Sequence, residues 1–254
     1  METRALLRKL AVYYPQRLRE NRDFGGLMVG KLPAEIHSVF LCLDFDDEVY
    51  PLALKTNADI IITHHPFFFG TRCRILKSDP VKASLYEKML EAKMTLLSYH
   101  TNFDAGKPGM NDELAEKLGL KEIKPLETVP MARGGKLPRC MEIHDFARYA
   151  KARLGVDYGL LIAAGKSMIS SVALIGGGGW MKNVNAQAEG YDIYLSGDCP
   201  HHERREIVLR HYNYLDLPHE IEKAFMTRMT KTLLSIDQYI QVTSVDHEKL
   251  PEVI

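Results

Sequence analysis

The sequence predicts an α/β fold of two similar domains, each with a mixed or mostly parallel sheet flanked by helices. Short apolar, β-branched runs alternate with stretches of helical periodicity, which is typical of strands joined by helical crossovers. The two halves also share a layout, because the same interval separates Val39 from Asp59 and Val172 from Asp192, the residues that open successive strands. This repeat favours an internal duplication, although ordinary strand–helix–strand units also have this layout.

Each element of the first half has a local signal. The N-terminal helix has its apolar residues on one side, and the glycine-rich stretch 24–30 leads a loop into a strand. Ser78 or Asp79 can cap the helix at 78–94. The other predicted elements, in chain order, are a strand at 38–45, a short helix at 46–58, strands at 59–66 and 95–100, and a helix at 111–120.

A stretch with two prolines and no clear period, 121–130, separates the halves. We predict a first domain at 1–125, completed by 219–254, and a second domain at 126–218. The predicted elements after the break are a helix at 144–155 that Gly155 ends, strands at 171–180 and 191–202, a helix at 219–234 and a strand at 239–245.

Charge and cysteine content exclude several classes of protein. The chain of 254 residues has 33 basic and 33 acidic side chains, so it lacks the basic excess of a nucleic-acid binder, and we expect no nucleic-acid partner. The four cysteines are widely spaced, which argues against a cysteine zinc site and a disulfide framework. The N-terminus is charged and no apolar run has the length of a membrane span, so we expect a cytoplasmic protein without a membrane partner.

Imidazoles and carboxylates collect where predicted strands and helices begin or end. In parallel sheets these positions open onto a crevice, and the two ligand types together bind divalent iron, zinc or manganese. The residues concerned are His64 and His65, His100 and Asp104, Asp198, His201 and His202, and His219 and Glu222.

Each of these features also has a structural explanation. His64 and His65 could be a hydrogen-bonded loop pair, His202 could cap a helix, and Glu222 could be a solvated charge. The glycine run 176–179 could hold phosphate, but without a following Lys-Ser/Thr it is weak evidence for a nucleotide. The convergence of several features on strand ends favours the metal site.

The segments ADIIITHHPFFF, SYHTNFDAGKPGMNDELAEKLGL, ARGGKL and YLSGDCPHH resemble the Nif-three-like dinuclear-metal hexamer family, the GTP cyclohydrolase type 2 homologues. The resemblance spans nearly the whole chain and implies two α/β domains in a toroidal homohexamer with metal sites facing an internal cavity. The family's metal ligands fall on His64, His65 and Asp104, its nearby histidine on His100, and its second-domain motif on Asp198 and His202.

The last family ligand pair departs from the pattern His-x-x-x-Glu after a glycine. Here the segment is LPHEIEK, in which Pro218 replaces the glycine and Lys223 stands four residues after His219. Glu222 is the favoured carboxylate and Glu220 the alternative. Because two cations would repel an ammonium group, we expect Lys223 to point away from the metals.

These observations lead to a metal-dependent hydrolase, similar to GTP cyclohydrolase type 2, acting on an unidentified small molecule such as a nucleotide or cyclic amide. His100 and His202 are the expected proton carriers. The alternative is a hexameric metal-binding scaffold or regulator without turnover. Two divalent ions per chain, of iron, zinc or manganese, are expected on His64, His65, Asp104, His219 and Glu222.

Overall fold

The computed structural model describes residues 1–252 and 254. The strands are β1 (Gly26–Val29), β2 (Ser38–Cys42), β3 (Ile60–Thr63), β4 (Leu96–Ser98), β5 (Lys121–Pro125), β6 (Arg133–Glu142), β7 (Leu160–Ala163), β8 (Met168–Leu174), β9 (Ile193–Ser196), β10 (Asn213–Asp216) and β11 (Gln241–Ser244). The α-helices are α1 (Thr3–Tyr13), α2 (Tyr50–Thr56), α3 (Arg72–Ser78), α4 (Pro80–Glu91), α5 (Thr101–Asp104), α6 (Met110–Lys117), α7 (Ile143–Leu154), α8 (Asn183–Ala188), α9 (His201–Leu209) and α10 (Ala224–Ile236), with 3₁₀ turns at Gln16–Leu18, Trp180–Lys182 and His219–Lys223.

The chain forms two compact units. The first comprises Met1–Lys107 and Phe225–Lys249, and the second comprises Pro108–Ala224 and Leu250–Ile254. The first boundary, 107/108, lies before the predicted boundary at 125/126, and the second, 224/225, lies after the predicted boundary at 218/219. The reason for the first difference is that α6 packs on β6 and β5 pairs with β6, which ties both elements to the second unit.

The sheet of the first unit has the strand order β1-β4-β3-β2-β11. The last four strands in this order are parallel, and β1 pairs with β4 in the antiparallel direction. Every residue of β3 and β4 is buried, which explains their continuous apolar character. The carboxyl ends of β3 and β4 therefore lie side by side, and the chain leaves both through histidines.

The sheet of the second unit has the order β5-β6-β8-β9-β10-β7. The three central strands β8, β9 and β10 are parallel, and the outer strands are antiparallel to their neighbours. The carboxyl ends of β8 and β9 lead into the glycine run 176–179 and into Asp198.

The predicted fold class is confirmed, with two mixed sheets flanked by helices. Two local predictions are wrong. The segment 121–130 contains an edge strand, β5, which is mostly exposed and so has no apolar period. The predicted helix at 219–234 begins with the 3₁₀ turn His219–Lys223 and becomes α-helical only from Ala224. Among the described residues, none of the helices combines the length and the apolar character that crossing a bilayer requires.

Candidate metal centre

His64 and His65 follow the buried strand β3 directly. Adjacent residues at a strand end usually point to opposite faces. Here both backbone N–H groups donate to one carbonyl, that of Leu43, over 3.2 and 3.1 Å, so the chain turns at this point. The two ring centroids consequently lie only 5.0 Å apart, and the ring of His64 is completely buried.

His100 and Asp104 follow β4, the neighbouring parallel strand. The ring of His100 lies 5.2 Å from that of His64 and 5.7 Å from that of His65. Each of the three histidines can offer one nitrogen, and these atoms lie within 4.8 Å of one another. The short helix α5 then places Asp104 Oδ1 3.6 Å from His64 Nε2.

The protonation of His64 is fixed by its surroundings. Its Nδ1 lies 2.9 Å from the carbonyl oxygen of Tyr99. A carbonyl can only accept a hydrogen bond, so Nδ1 carries a proton, and in the neutral ring the lone pair lies on Nε2. The atom that faces Asp104 is therefore the one that can bind a metal.

Two carboxylates orient the other rings in the same way. His65 Nδ1 donates to Asp44 over 2.6 Å, and His100 Nδ1 donates to Asp23 over 2.6 Å. Burial alone would raise the pKa of Asp23, but the hydrogen bonds from His100 and Thr101 outweigh it and lower that pKa. Asp23 is thus a carboxylate at neutral pH and holds Nδ1 of His100 as a donor.

These residues fit a divalent metal ion. Metal-binding histidines typically donate their second nitrogen to a carboxylate or a carbonyl, which fixes the ring and makes the ligating nitrogen more basic. His64, His65 and His100 all meet this condition. Imidazole with a carboxylate suits zinc, iron or manganese.

The second unit contributes a separate pair, His219 and Glu222. Residues three apart are aligned in a 3₁₀ turn, and His219 Nε2 accordingly lies 3.0 Å from Glu222 Oε2. The other ring nitrogen, Nδ1, donates to Asp198 over 2.5 Å. Burial disfavours the charged imidazole, but Glu222 and Asp198 outweigh it and raise the pKa of His219 to about 9.

The glycine run makes room for Glu222. Gly177 has a positive φ of 60°, and a Cβ atom there would lie 2.0 Å from Oε1 of Glu222. Its carbonyl accepts hydrogen bonds from the amide of Gly197 and the hydroxyl of Ser196, which anchor the loop. The glycine run therefore leaves space for the buried carboxylate of Glu222, a role that the sequence did not suggest.

The family model described as Duf34/NIF3 (NGG1p interacting factor 3) matches residues 1–251. The chain belongs to the DUF34/NIF3 family.

Curated relatives support the DUF34/NIF3 assignment. A Clostridium perfringens protein named GTP cyclohydrolase 1 type 2 homolog is 29% identical over 211 residues, 81% of this chain and 80% of the relative. A protein of the same name from Methanocaldococcus jannaschii is 28% identical over 256 residues, 97% of this chain and all of the relative.

Solved structures show the same DUF34/NIF3 fold. A Bacillus cereus protein related to NIF3 superposes with a TM-score of 0.89 at 19% identity, over 100% of this chain and 99% of that one. Reduced HcgD from Methanocaldococcus jannaschii gives 0.80 at 25% identity, over 97% and 98% of the two chains. The predicted family membership is confirmed.

The sequence-predicted residues of this DUF34/NIF3 chain fall into distinct places. His64, His65, His100 and Asp104 come together in the first unit, and His219 and Glu222 in the second. His202 lies elsewhere, in the first turn of helix α9, and is exposed. Its ring contacts that of Trp180, with the two ring centroids 6.0 Å apart.

Glu222 and Lys223, adjacent in the segment LPHEIEK, make different contacts. Glu222 is 4% exposed and contacts His219. The ammonium group of Lys223 reaches the carbonyl of Gly155, 3.5 Å away. That Lys223 points away from the metals stays a prediction, and Glu222 is the carboxylate beside His219.

The sequence analysis of this DUF34/NIF3 chain missed two orienting acids, Asp23 and Asp44. Asp44 stands two residues after the apolar strand β2, a signal that could have identified it. Asp23 lies in a turn between α1 and β1, where no periodicity marks it. Only the hydrogen bond to His100, far along the chain, reveals its role.

Proposed function

We propose that this protein is a metal-dependent hydrolase. The observation that carries the proposal is the cluster of His64, His65 and His100, whose donor nitrogens lie within 4.8 Å of one another. In each ring a carbonyl or carboxylate engages Nδ1, so Nε2 is the nitrogen proposed to bind a metal in His64 and His65 and to carry the proton in His100. A purely structural histidine cluster gains little from orienting three lone pairs in this way.

The proposed metal ligands are His64, His65, Asp104, His219 and Glu222. Two divalent ions per chain, of iron, zinc or manganese, match this number and type of donors. Carboxylates such as Asp104 and Glu222 also offset the positive charge of the ions.

Bound ions would supply Lewis acidity, which polarises the substrate and lowers the pKa of water. His100 is the proposed proton carrier because its ring lies beside those of His64 and His65 while its Nδ1 donates to Asp23. Asp23 stabilises the imidazolium that forms when His100 accepts a proton, as a carboxylate behind a catalytic histidine does. A similar role for His202 stays a prediction.

The proposed substrate is a nucleotide or a cyclic amide. The support is the name of the curated relatives, GTP cyclohydrolase 1 type 2 homolog. A reaction of that type hydrolyses a ring carbon–nitrogen bond.

Metal analysis of an Asp104→Ala variant tests the proposal, with Asp47→Ala as the control because Asp47 is half-exposed and pairs with Lys88. We expect wild type and control to hold about two ions per chain and Asp104→Ala to hold one or none. Hydrolysis should fall in parallel. Unchanged metal content in Asp104→Ala would contradict its role as a ligand.

The same samples separate the enzyme from a scaffold. Full metal content without hydrolysis of nucleotides, phosphodiesters or cyclic amides would favour a non-catalytic metal-binding regulator. Assembly into a homohexamer stays a prediction, and native mass spectrometry of the metal-loaded protein tests it.

A further inference from the structure

A cavity of about 470 Å³ lies within the first unit, next to the proposed proton carrier. Asp23 connects the two, because this residue lines the cavity and its carboxylate accepts a hydrogen bond from His100 Nδ1. The volume lies in the range of small-molecule sites. Phe24, Leu27 and Phe68 supply apolar parts of the wall.

Two arginines, Arg19 and Arg72, line this cavity. Arg19 donates to the carbonyl of Gly25 over 3.3 Å, and Arg72 donates to the hydroxyl of Tyr86 over 3.2 Å. Within the described part of the chain, neither guanidinium is in an ion pair with a carboxylate. Two positively charged side chains therefore line the cavity, and no carboxylate of the described residues neutralises either of them in an ion pair.

The acid in the cavity is already engaged. Oδ1 of Asp23 accepts hydrogen bonds from His100 and from the amide of Phe24, and Oδ2 accepts from the hydroxyl and amide of Thr101. Since its oxygens are turned to these donors, Asp23 is occupied in holding His100. The two positive charges of Arg19 and Arg72 exceed the single negative charge of Asp23.

We infer that this cavity binds a phosphate group of the substrate through Arg19 and Arg72. A guanidinium offers parallel N–H donors that match phosphate oxygens, and two of them suit a dianion. The apolar wall would contact the organic part of a phosphorylated small molecule. The inference rests on the proposed function only in taking His100 as the neighbouring proton carrier.

Calorimetric titration with inorganic phosphate and pyrophosphate tests the site on the full chain after removal of metals with a chelator. Arg19→Gln and Arg72→Gln should each weaken binding by about tenfold, and the double variant by more, because each removes a charge-assisted hydrogen bond. The matched controls are Arg17→Gln and Arg74→Gln, exposed neighbours that do not line the cavity, and they should stay within about twofold of wild type.

Wild-type protein that binds neither probe, or a double variant that binds as tightly as wild type, would overturn the inference. Succinate serves as the carboxylate probe, and binding as tight as that of phosphate would also overturn it. Metal content, measured on untreated samples, should not change in the arginine variants. If untreated wild-type protein holds no metal but binds phosphate as described, the proposed hydrolase function is refuted and the proposed phosphate site is retained.

Discussion

Gly177 and Glu222 are in such close contact that a side chain on the glycine would collide with the carboxylate. A Cβ atom at Gly177 would lie 2.0 Å from Oε1 and 2.7 Å from Cδ of Glu222. Glu222 is buried and contacts His219, so it cannot move aside without giving up that contact. The glycine is therefore a requirement of the proposed ligand pair and not only of the turn.

We predict that Gly177→Ala lowers the metal content of the purified protein, with metal affinity reduced by about tenfold or more. The methyl group would push the Glu222 carboxylate from its place beside His219. Metal analysis after dialysis against graded chelator concentrations measures the change.

Gly190→Ala is the control for this variant. Gly190 also has a positive φ, 83°, but a Cβ there would have nothing within 4 Å. Both variants carry the backbone strain of a left-handed alanine, about 1 kcal/mol. Equal metal loss in the two variants would mean that strain, and not the collision with Glu222, is responsible.

Asp198 is the orienting acid of His219, and we predict that Asp198→Asn weakens metal binding by about 10- to 100-fold. The amide can present either its oxygen or its NH₂ group to Nδ1, so it no longer fixes the proton there, and it lacks the charge that supports the ring. Competition with a fluorescent chelator measures the affinity. The control is Asp157→Asn, an exposed acid of the same unit, and an equal loss in both variants would argue against orientation by Asp198.

A variant of His100 can show whether this residue carries protons or binds a metal ion. We predict that His100→Gln retains its metal but loses about 10²- to 10⁴-fold in hydrolysis rate, the usual contribution of a general acid or base. Metal content and rate should be measured on the same preparation, with His37→Gln as a control at an exposed histidine that pairs with Glu35. Loss of an ion in His100→Gln would make His100 a third imidazole ligand instead.

The strands that hold the site were predictable from sequence because they are buried on both faces. β3 is an unbroken apolar run, and histidines at its end stand out against it. β6 was not predicted, since Gly134, Gly135 and Pro138 make a poor strand sequence. Its place in the sheet comes from pairing with β5 and β8, which no local pattern records.

The sequence predicted the candidate metal ligands, but it did not predict the residues and the turn that orient them. His64 and His65 occupy a position where parallel sheets bind ligands. Asp23, by contrast, is linked to His100 across 77 positions of the chain, and only the folded structure brings the two together. The 3₁₀ turn at His219 has a helical composition, so sequence periodicity predicted an α-helix there.

The two units share one further feature, an aspartate that links neighbouring parallel strands. Asp59, just before β3, accepts hydrogen bonds from the amides of His37 and Ser38. Asp192, just before β9, accepts them from the amides of Ser170 and Ser171. The same contact at the same place in both sheets supports the predicted internal duplication.

Asp192 also predicts how stability depends on pH. Burial alone would raise the pKa of Asp192, but hydrogen bonds from Lys166, Ser170 and Ser171 outweigh it and hold the pKa well below its usual value. Because the folded-state pKa is depressed, the carboxylate stabilises the fold above the unfolded-state pKa of about 3.9. This contribution is lost as the pH falls towards the folded-state pKa.

We therefore predict that Asp192→Asn lowers the free energy of unfolding by about 1 to 3 kcal/mol at pH 7, because an amide cannot replace the charged acceptor. The difference from wild type should stay constant down to about pH 5 and shrink below about pH 4. Urea unfolding at several pH values measures it, with Asp157→Asn expected to change stability by less than about 0.5 kcal/mol throughout. A deficit in Asp192→Asn that is as large at pH 3.5 as at pH 7 would show that lost packing, and not lost charge, causes the destabilisation.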